Sequence, residues 1–174
     1  EIILPVSNDL KNGIEALGIK KTMKVIPNVV DTELFSPAKT KKNVFTFLHV
    51  SSLIDRKNPD KIIEAAIDLL QKGYQFRLEI GGSSNGEIQN KLKSQIQKSG
   101  FVNDIELFGE ESIENIAERM KAANCFILFS NDENQPCVIA ESFASGIKVI
   151  STNVGGIAEF FPKGFGILID NLDV

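Results

Sequence analysis

The sequence is short of the residues that most often announce chemistry. His49 is its only histidine, and Cys125 and Cys137 are its only cysteines, among 174 residues. It therefore offers no Ser-His-Asp candidate, no cluster of metal ligands and no Asp-x-Asp metal motif. The two cysteines lack metal-ligand spacing and fit a reduced, cytoplasmic setting. There is no excess of positive charge: 19 Lys and Arg stand against 23 Asp and Glu, a net charge of −4. That balance argues against a nucleic-acid partner. It leaves room for a small phosphorylated ligand, which needs only one or two local cations. No apolar run approaches the ~20 residues of a membrane-spanning helix. Residues 1–6 lack the basic region of a signal peptide. No repeat or low-complexity tract occurs. With no initiator Met, the N-terminus reads as a strand reached mid-protein, and the chain is expected to be a piece of a longer one.

What is present is an alternation. Apolar residues make up 43% and charged residues 24%, ordinary for a globular domain of this size. Strands are predicted at Ile2–Val6, Met23–Ile26, Val44–Val50, Gln75–Ile80, Ile105–Gly109, Cys125–Ser130, Ile147–Ser151 and Gly166–Ile169. Helix-length segments separate most of them. Ser7 is placed to cap a helix that Gly18 ends. Asn58 caps another, with Pro59 at its first position; Ile62, Ile63, Ala66, Leu69 and Leu70 form its apolar stripe. Helices follow at residues 87–98 and 113–122, from Pro136, and around residues 156–161. Residues 36–43 read as a polar connector. Alternation of this kind implies right-handed crossovers and a parallel sheet covered on both faces. The expected fold is α/β, a Rossmann-like, doubly wound domain over residues 36–174, with residues 1–35 as a hinge segment.

Glu133 and Glu141 stand eight residues apart between two strand candidates. The first falls in the loop at a strand's C-terminal end, and the second on the next helix's second turn. In a parallel sheet that edge is where ligands bind. Two carboxylates on one crossover suit a ligand rich in hydroxyls, because each ionised carboxylate can accept from two of them at ~1.5–3 kcal/mol per bond. The plainer alternative is a pair of solvated surface glutamates. The amides of Cys137 and Val138 open the helix and can donate to a phosphate; Pro136 cannot. Small residues Ser51 and Ser52 precede Arg56 and Lys57 at another helix start, where basic residues are locally unfavourable unless an anion is bound. Gly155-Gly156 permits a positive φ and close ligand approach, or forms a plain strand-to-helix turn. Gly81-Gly82 lacks a dinucleotide fingerprint. His49 lies near this edge and is expected to be a packed, hydrogen-bonded strand residue.

Four segments, in order, carry a family resemblance over nearly the whole chain. They are Val6-Ser7 with Val25–Phe35, Ser51–Asn58, Glu133–Glu141 continuing to Gly146, and Ser151–Glu159. Together they resemble the C-terminal, donor-binding domain of GT-B glycosyltransferases of family 4, the glycosyl transferases group 1. The resemblance implies a retaining enzyme that moves a hexose-type sugar from a nucleotide diphosphate to a glycan or lipid-linked acceptor. Front-face attack would be assisted by the donor's own phosphate, without a divalent metal or other cofactor. It implies that Glu133 contacts the donor sugar, Glu141 the ribose and Lys57 the diphosphate. Gly155-Gly156 would lie near sugar and phosphate, and the segment at Phe108 would receive the base, largely through backbone groups. Ser51-Ser52 stands where the family carries Gly-Arg, with Arg56 as the adjacent cation. Gln135-Pro136 stands where it often carries an aromatic and Gly.

The resemblance further implies an absent N-terminal acceptor domain and a final helix beyond Val174. The chain alone is then expected to be monomeric, with little transferase activity. The whole enzyme is expected in the cytoplasm, with the cytoplasmic membrane face as an option. Two rival readings stay open: a non-catalytic nucleotide-binding module of the same fold, and a sugar-nucleotide epimerase, which the single histidine disfavours.

Overall fold

The computed structural model describes residues 1–39 and 43–170. Part of the predicted connector, residues 40–42, and the predicted domain's last four residues, 171–174, lie outside the described residues. Six strands form one parallel sheet: β1 (Thr46–Val50), β2 (Arg77–Gly81), β3 (Ile105–Gly109), β4 (Cys125–Leu128), β5 (Lys148–Thr152) and β6 (Gly166–Ile169). Their order is β3-β2-β1-β4-β5-β6. This is the doubly wound arrangement that the alternation predicts. It places the reversal of strand order between β1 and β4, and open α/β sheets bind ligands beyond the strands' C-terminal ends at such a reversal.

The helices are α1 (Asn8–Ala16), α2 (Pro59–Gln71), α3 (Gly86–Ser99), α4 (Ile113–Ala122) and α5 (Cys137–Ala144). Alternate residues of each strand face opposite sides. On β1, Phe47 packs with the cluster of Ile62, Ile63 and Ala66 of α2 and Leu92 and Ile96 of α3. Leu48 packs with Ala117 and Met120 of α4 and Ile139 of α5. Each such apolar side chain, fully buried, contributes ~1.5–3 kcal/mol before entropy is counted. Phe35 lies in the second cluster with Val30 and Leu34 against it, so the end of the predicted hinge segment is anchored in the core.

Two predicted strands are absent as strands. Ile2–Val6 and Met23–Ile26 make one isolated parallel bridge, Ile3 to Met23. They lie apart from the sheet, Pro5 has no N–H to extend the ladder, and Ile2, Leu4 and Ile26 remain exposed. Two predicted helix starts also differ in detail. Pro136 is the residue before α5, with extended φ and ψ of −69° and 121°, and Cys137 is the first helical residue. Asn58 sits at the cap position of α2 in the left-handed region and makes no side-chain capping bond. Its amide is used elsewhere. The last predicted helix is a 3-10 turn, Ile157–Phe160.

Candidate functional site

The loop after β1 and the loop after β4 meet at the switch point and are stitched together. Asn131 N donates to Arg56 O at 2.9 Å. Asn58 Nδ2 donates to Phe129 O at 2.9 Å and to Asn131 Oδ1 at 2.6 Å. The strained left-handed Asn58 is therefore explained: its backbone turns so that the amide bridges the loops instead of capping α2. The stitching brings Lys57 Nζ against Glu133 Oε1 in a nearly buried ion pair. Residues 76 positions apart thus share one spot.

Glu133 is held from several directions. Ser130 Oγ, fully buried, donates to the same Oε1 at 2.7 Å. Thr152 Oγ1 of β5 donates to Ser130 O at 2.7 Å. Gly156 N donates to Glu133 O at 3.3 Å. Gly155 has φ +54°, and a Cβ at either glycine would collide with the Glu133 or Asn134 carbonyl. The glycine pair therefore lets the β5 loop close onto the backbone of the β4 loop.

Glu141 sits on α5 one turn beyond Cys137. Its carboxylate is half-buried, and no hydrogen bond or ion pair to it occurs among the described residues; burial pushes its pKa up. An unpartnered carboxylate kept partly out of water is suited to a ligand that brings hydroxyls. Burial, then the Glu141 charge, pushes the Cys137 thiol up, so it is no activated nucleophile. The Cys137 and Val138 amides lie in the first turn of α5, ahead of any helical acceptor.

Other expected site residues lie further out. Arg56 is exposed and pairs with Asp132 at 3.6 Å, so its charge is engaged away from the Lys57–Glu133 pair. Ser52 is exposed, and its carbonyl accepts from Ile54 N at 2.8 Å. Phe108 lies on β3, two strands from β1. The Arg119 guanidinium lies 3.8 Å from its ring centroid, and the ring's edge packs on Gly81. The ring is thus occupied, leaving backbone groups at that end of β3. His49 is fully buried. Its Nδ1 lies 2.9 Å from Ile127 O and its Nε2 2.8 Å from Ser51 Oγ. A carbonyl can only accept, so Nδ1 carries the proton and Nε2 accepts from Ser51. Burial holds its pKa at about 4. His49 is the packed, neutral strand histidine that its sequence context suggests. Among the described residues no three His, Cys, Asp or Glu converge as a metal-ligand set.

Sequence reasoning missed several contacts. Arg119 binds Glu79, Glu106 and Glu111 at 2.8–3.1 Å. Glu159 accepts from Asn8 N, Asn8 Nδ2 and Asp9 N at 2.7–2.8 Å, tying the start of α1 to the β5 loop. Gln135 accepts from Asn28 N at 2.5 Å and from Asn28 Nδ2 at 2.8 Å. Asn28, Gln135 and Glu159 lie inside the four family-like segments, which was the available signal. Ser130 and Arg119 gave none, since their partners come together only on folding.

The sequence model of the family described as "Glycosyl transferases group 1" matches residues 29–174. The chain is 31% identical over 166 residues to the Escherichia coli UDP-Gal:alpha-D-GlcNAc-diphosphoundecaprenol alpha-1,3-galactosyltransferase, covering 87% of this chain and 42% of that protein. It is 27% identical over 145 residues to the gpi3 subunit of the Schizosaccharomyces pombe phosphatidylinositol N-acetylglucosaminyltransferase, covering 82% of this chain and 31% of that one. The chain thus spans well under half of these curated relatives. Its fold is similar to that of Anabaena HepE in complex with UDP and glucose, with TM-score 0.82 and 21% identity over 97% of this chain and 49% of that one. It is likewise similar to a glycosyltransferase from Rickettsia africae, with TM-score 0.84 and 22% identity over 99% and 50%.

Proposed function

The chain belongs to the glycosyl transferases group 1 family, and from that premise we propose that it is the sugar-nucleotide-binding part of a retaining transferase of hexose-type sugars. The observation that carries the reading is the Lys57–Glu133 pair at the point where the strand order reverses. A cation for a diphosphate and an anion for sugar hydroxyls there stand side by side, at the edge where open α/β sheets bind ligands.

The roles follow from chemistry. Lys57 and the Cys137 and Val138 amides neutralise charge on the diphosphate as it leaves; this reading assigns that work to the chain's own groups, with no metal or cofactor. Arg56 and Ser52 line the outer side of the phosphate loop. Glu133 accepts from the sugar, and Glu141 accepts from the ribose. Gly155-Gly156 keeps the loop beside the sugar free of side chains. The base is read by backbone groups at the end of β3, near Phe108. A glycan or lipid-linked acceptor would come from elsewhere in the whole protein, in keeping with the diphosphoundecaprenol acceptor in the name of the Escherichia coli relative. We place the enzyme in the cytoplasm, facing the membrane when the acceptor is lipid-linked. No helix among the described residues is long and apolar enough to cross a membrane.

Calorimetric titration with UDP, GDP, ADP and their hexose esters tests the reading. Saturable binding of one nucleotide series, weakened by both Lys57→Ala and Glu141→Ala, supports it. Binding indifferent to both substitutions, or no binding of any series, counts against it. The non-catalytic alternative predicts nucleotide binding with no preference for a sugar ester.

A further inference from the structure

We propose that the Lys57–Glu133 ion pair makes the site select an intact sugar nucleotide over the bare nucleoside diphosphate, and that Ser130 is the positioning residue that sets the pair. This rests on the donor-binding reading above. Glu133 and Lys57 are 9% and 14% exposed, so each charge depends on the other for stabilisation. Ser130 Oγ and Lys57 Nζ both donate to Oε1. Oε2 receives no donor among the described residues. The carboxylate is thus oriented with one oxygen committed inward and the other left to take a ligand. Arg56 pairs with Asp132 at 3.6 Å on the exposed side, apart from the Lys57–Glu133 pair, and His49, held neutral by burial, supplies no cation.

A diphosphate arriving alone must draw Lys57 from Glu133. That leaves a nearly buried carboxylate without its counter-charge, a costly state. A sugar on the same carboxylate brings hydroxyl donors that replace the ammonium. Sugar and diphosphate therefore assist each other's binding, which is a coupling between two subsites. Once the sugar has been transferred, Glu133 reclaims Lys57 and the hold on the diphosphate loosens. Ser130 matters because its hydroxyl fixes the rotamer in which this exchange occurs. It is itself fixed by Thr152 through its own carbonyl.

The test is calorimetric titration of the chain and of Glu133→Gln, Ser130→Ala and Ser130→Thr. Probes are UDP with UDP-glucose and UDP-N-acetylglucosamine, GDP with GDP-mannose, and ADP with ADP-glucose. The quantity read is the ratio of Kd for the diphosphate to Kd for its sugar ester. Because it is taken within one variant, a partial loss of folded protein cancels. The ratio is expected above one in the parent. Glu133→Gln is expected to tighten the diphosphate about tenfold while weakening the ester. Ser130→Ala is expected to shift the ratio the same way by about fivefold, with Ser130→Thr restoring it. A Glu133→Gln variant that binds the diphosphate no tighter than the parent overturns the proposal while leaving the donor site standing. A parent that binds no probe overturns the donor-binding reading and this inference together.

Discussion

Gly155 lies directly against the carbonyl oxygen of Glu133, in a backbone conformation, φ +54°, that L side chains rarely adopt. The neighbouring amide of Gly156 donates to that oxygen at 3.3 Å. The glycine turn is therefore part of what fixes Glu133, and its small size is required by the protein's own backbone before any ligand is considered. Gly155→Ala is expected to cost more than the ~1–2 kcal/mol of left-handed strain alone, because the added methyl also displaces the Glu133 carbonyl. Urea unfolding should show a lower midpoint at unchanged slope. An unchanged midpoint would contradict the packing described.

Under the donor-binding reading, Glu141 sets stability against function. Burial raises its pKa, so the folded state holds this proton more tightly than the unfolded chain. Its contribution to stability is greatest at low pH and declines as pH rises from the ordinary glutamate value, ~4.3, through the raised one. Glu141→Gln is accordingly expected to stabilise the fold at pH 7 by under about 1 kcal/mol, since solvent screens a half-exposed group. The same variant should bind nucleotide more weakly, as expected where a site holds a strained charge. Thermal melts at pH 5 and 7 check the first part, and titration calorimetry the second.

Arg119 binds three carboxylates at once. Hydrogen bonding to Arg119 pulls the Glu111 pKa down against the opposing effect of burial. That contribution is present above the ordinary glutamate pKa and is lost as pH falls through the depressed one. Arg119→Ala should destabilise the fold by ~2–3 kcal/mol at pH 7, below the full cost of orphaning a buried pair because water reaches Glu106 and Glu111. The deficit should shrink toward pH 4 as Glu111, whose pKa Arg119 holds down, protonates in the variant. Equal deficits at both pH values would show that packing on Phe108, and not charge, is what Arg119 supplies.

His49 should report its burial directly. Its folded pKa is depressed to about 4, against ~6.5 in an unfolded chain. Its contribution is fully present above pH 6.5 and is lost as pH falls toward 4, amounting to about 3 kcal/mol over that window. The sole imidazole resonance should stay neutral through pH 6 by NMR. A midpoint near 6.5 would place the ring in water and contradict the structure.

The fold was legible because periodic apolar segments and local stop signals act over short distances. Ser7 caps α1, with Leu10 N donating to its hydroxyl at 3.0 Å, and Pro59 opens α2, as the sequence implies. Where local logic failed, a distant partner had won. Asn58 gives up side-chain capping of α2 to bridge Phe129 and Asn131. The two N-terminal apolar runs find no sheet to join and stop at a single bridge. By itself, then, the sequence determined the alternating α/β plan and the residue types set at the C-terminal edge of the sheet, because hydrophobic period and turn chemistry are local properties. Only the tertiary structure decided that Lys57 pairs with Glu133, that Ser130 donates to the same carboxylate oxygen, and that the Arg119 guanidinium lies over the Phe108 ring. Those pairings join residues far apart in sequence, and burial makes each depend on the other.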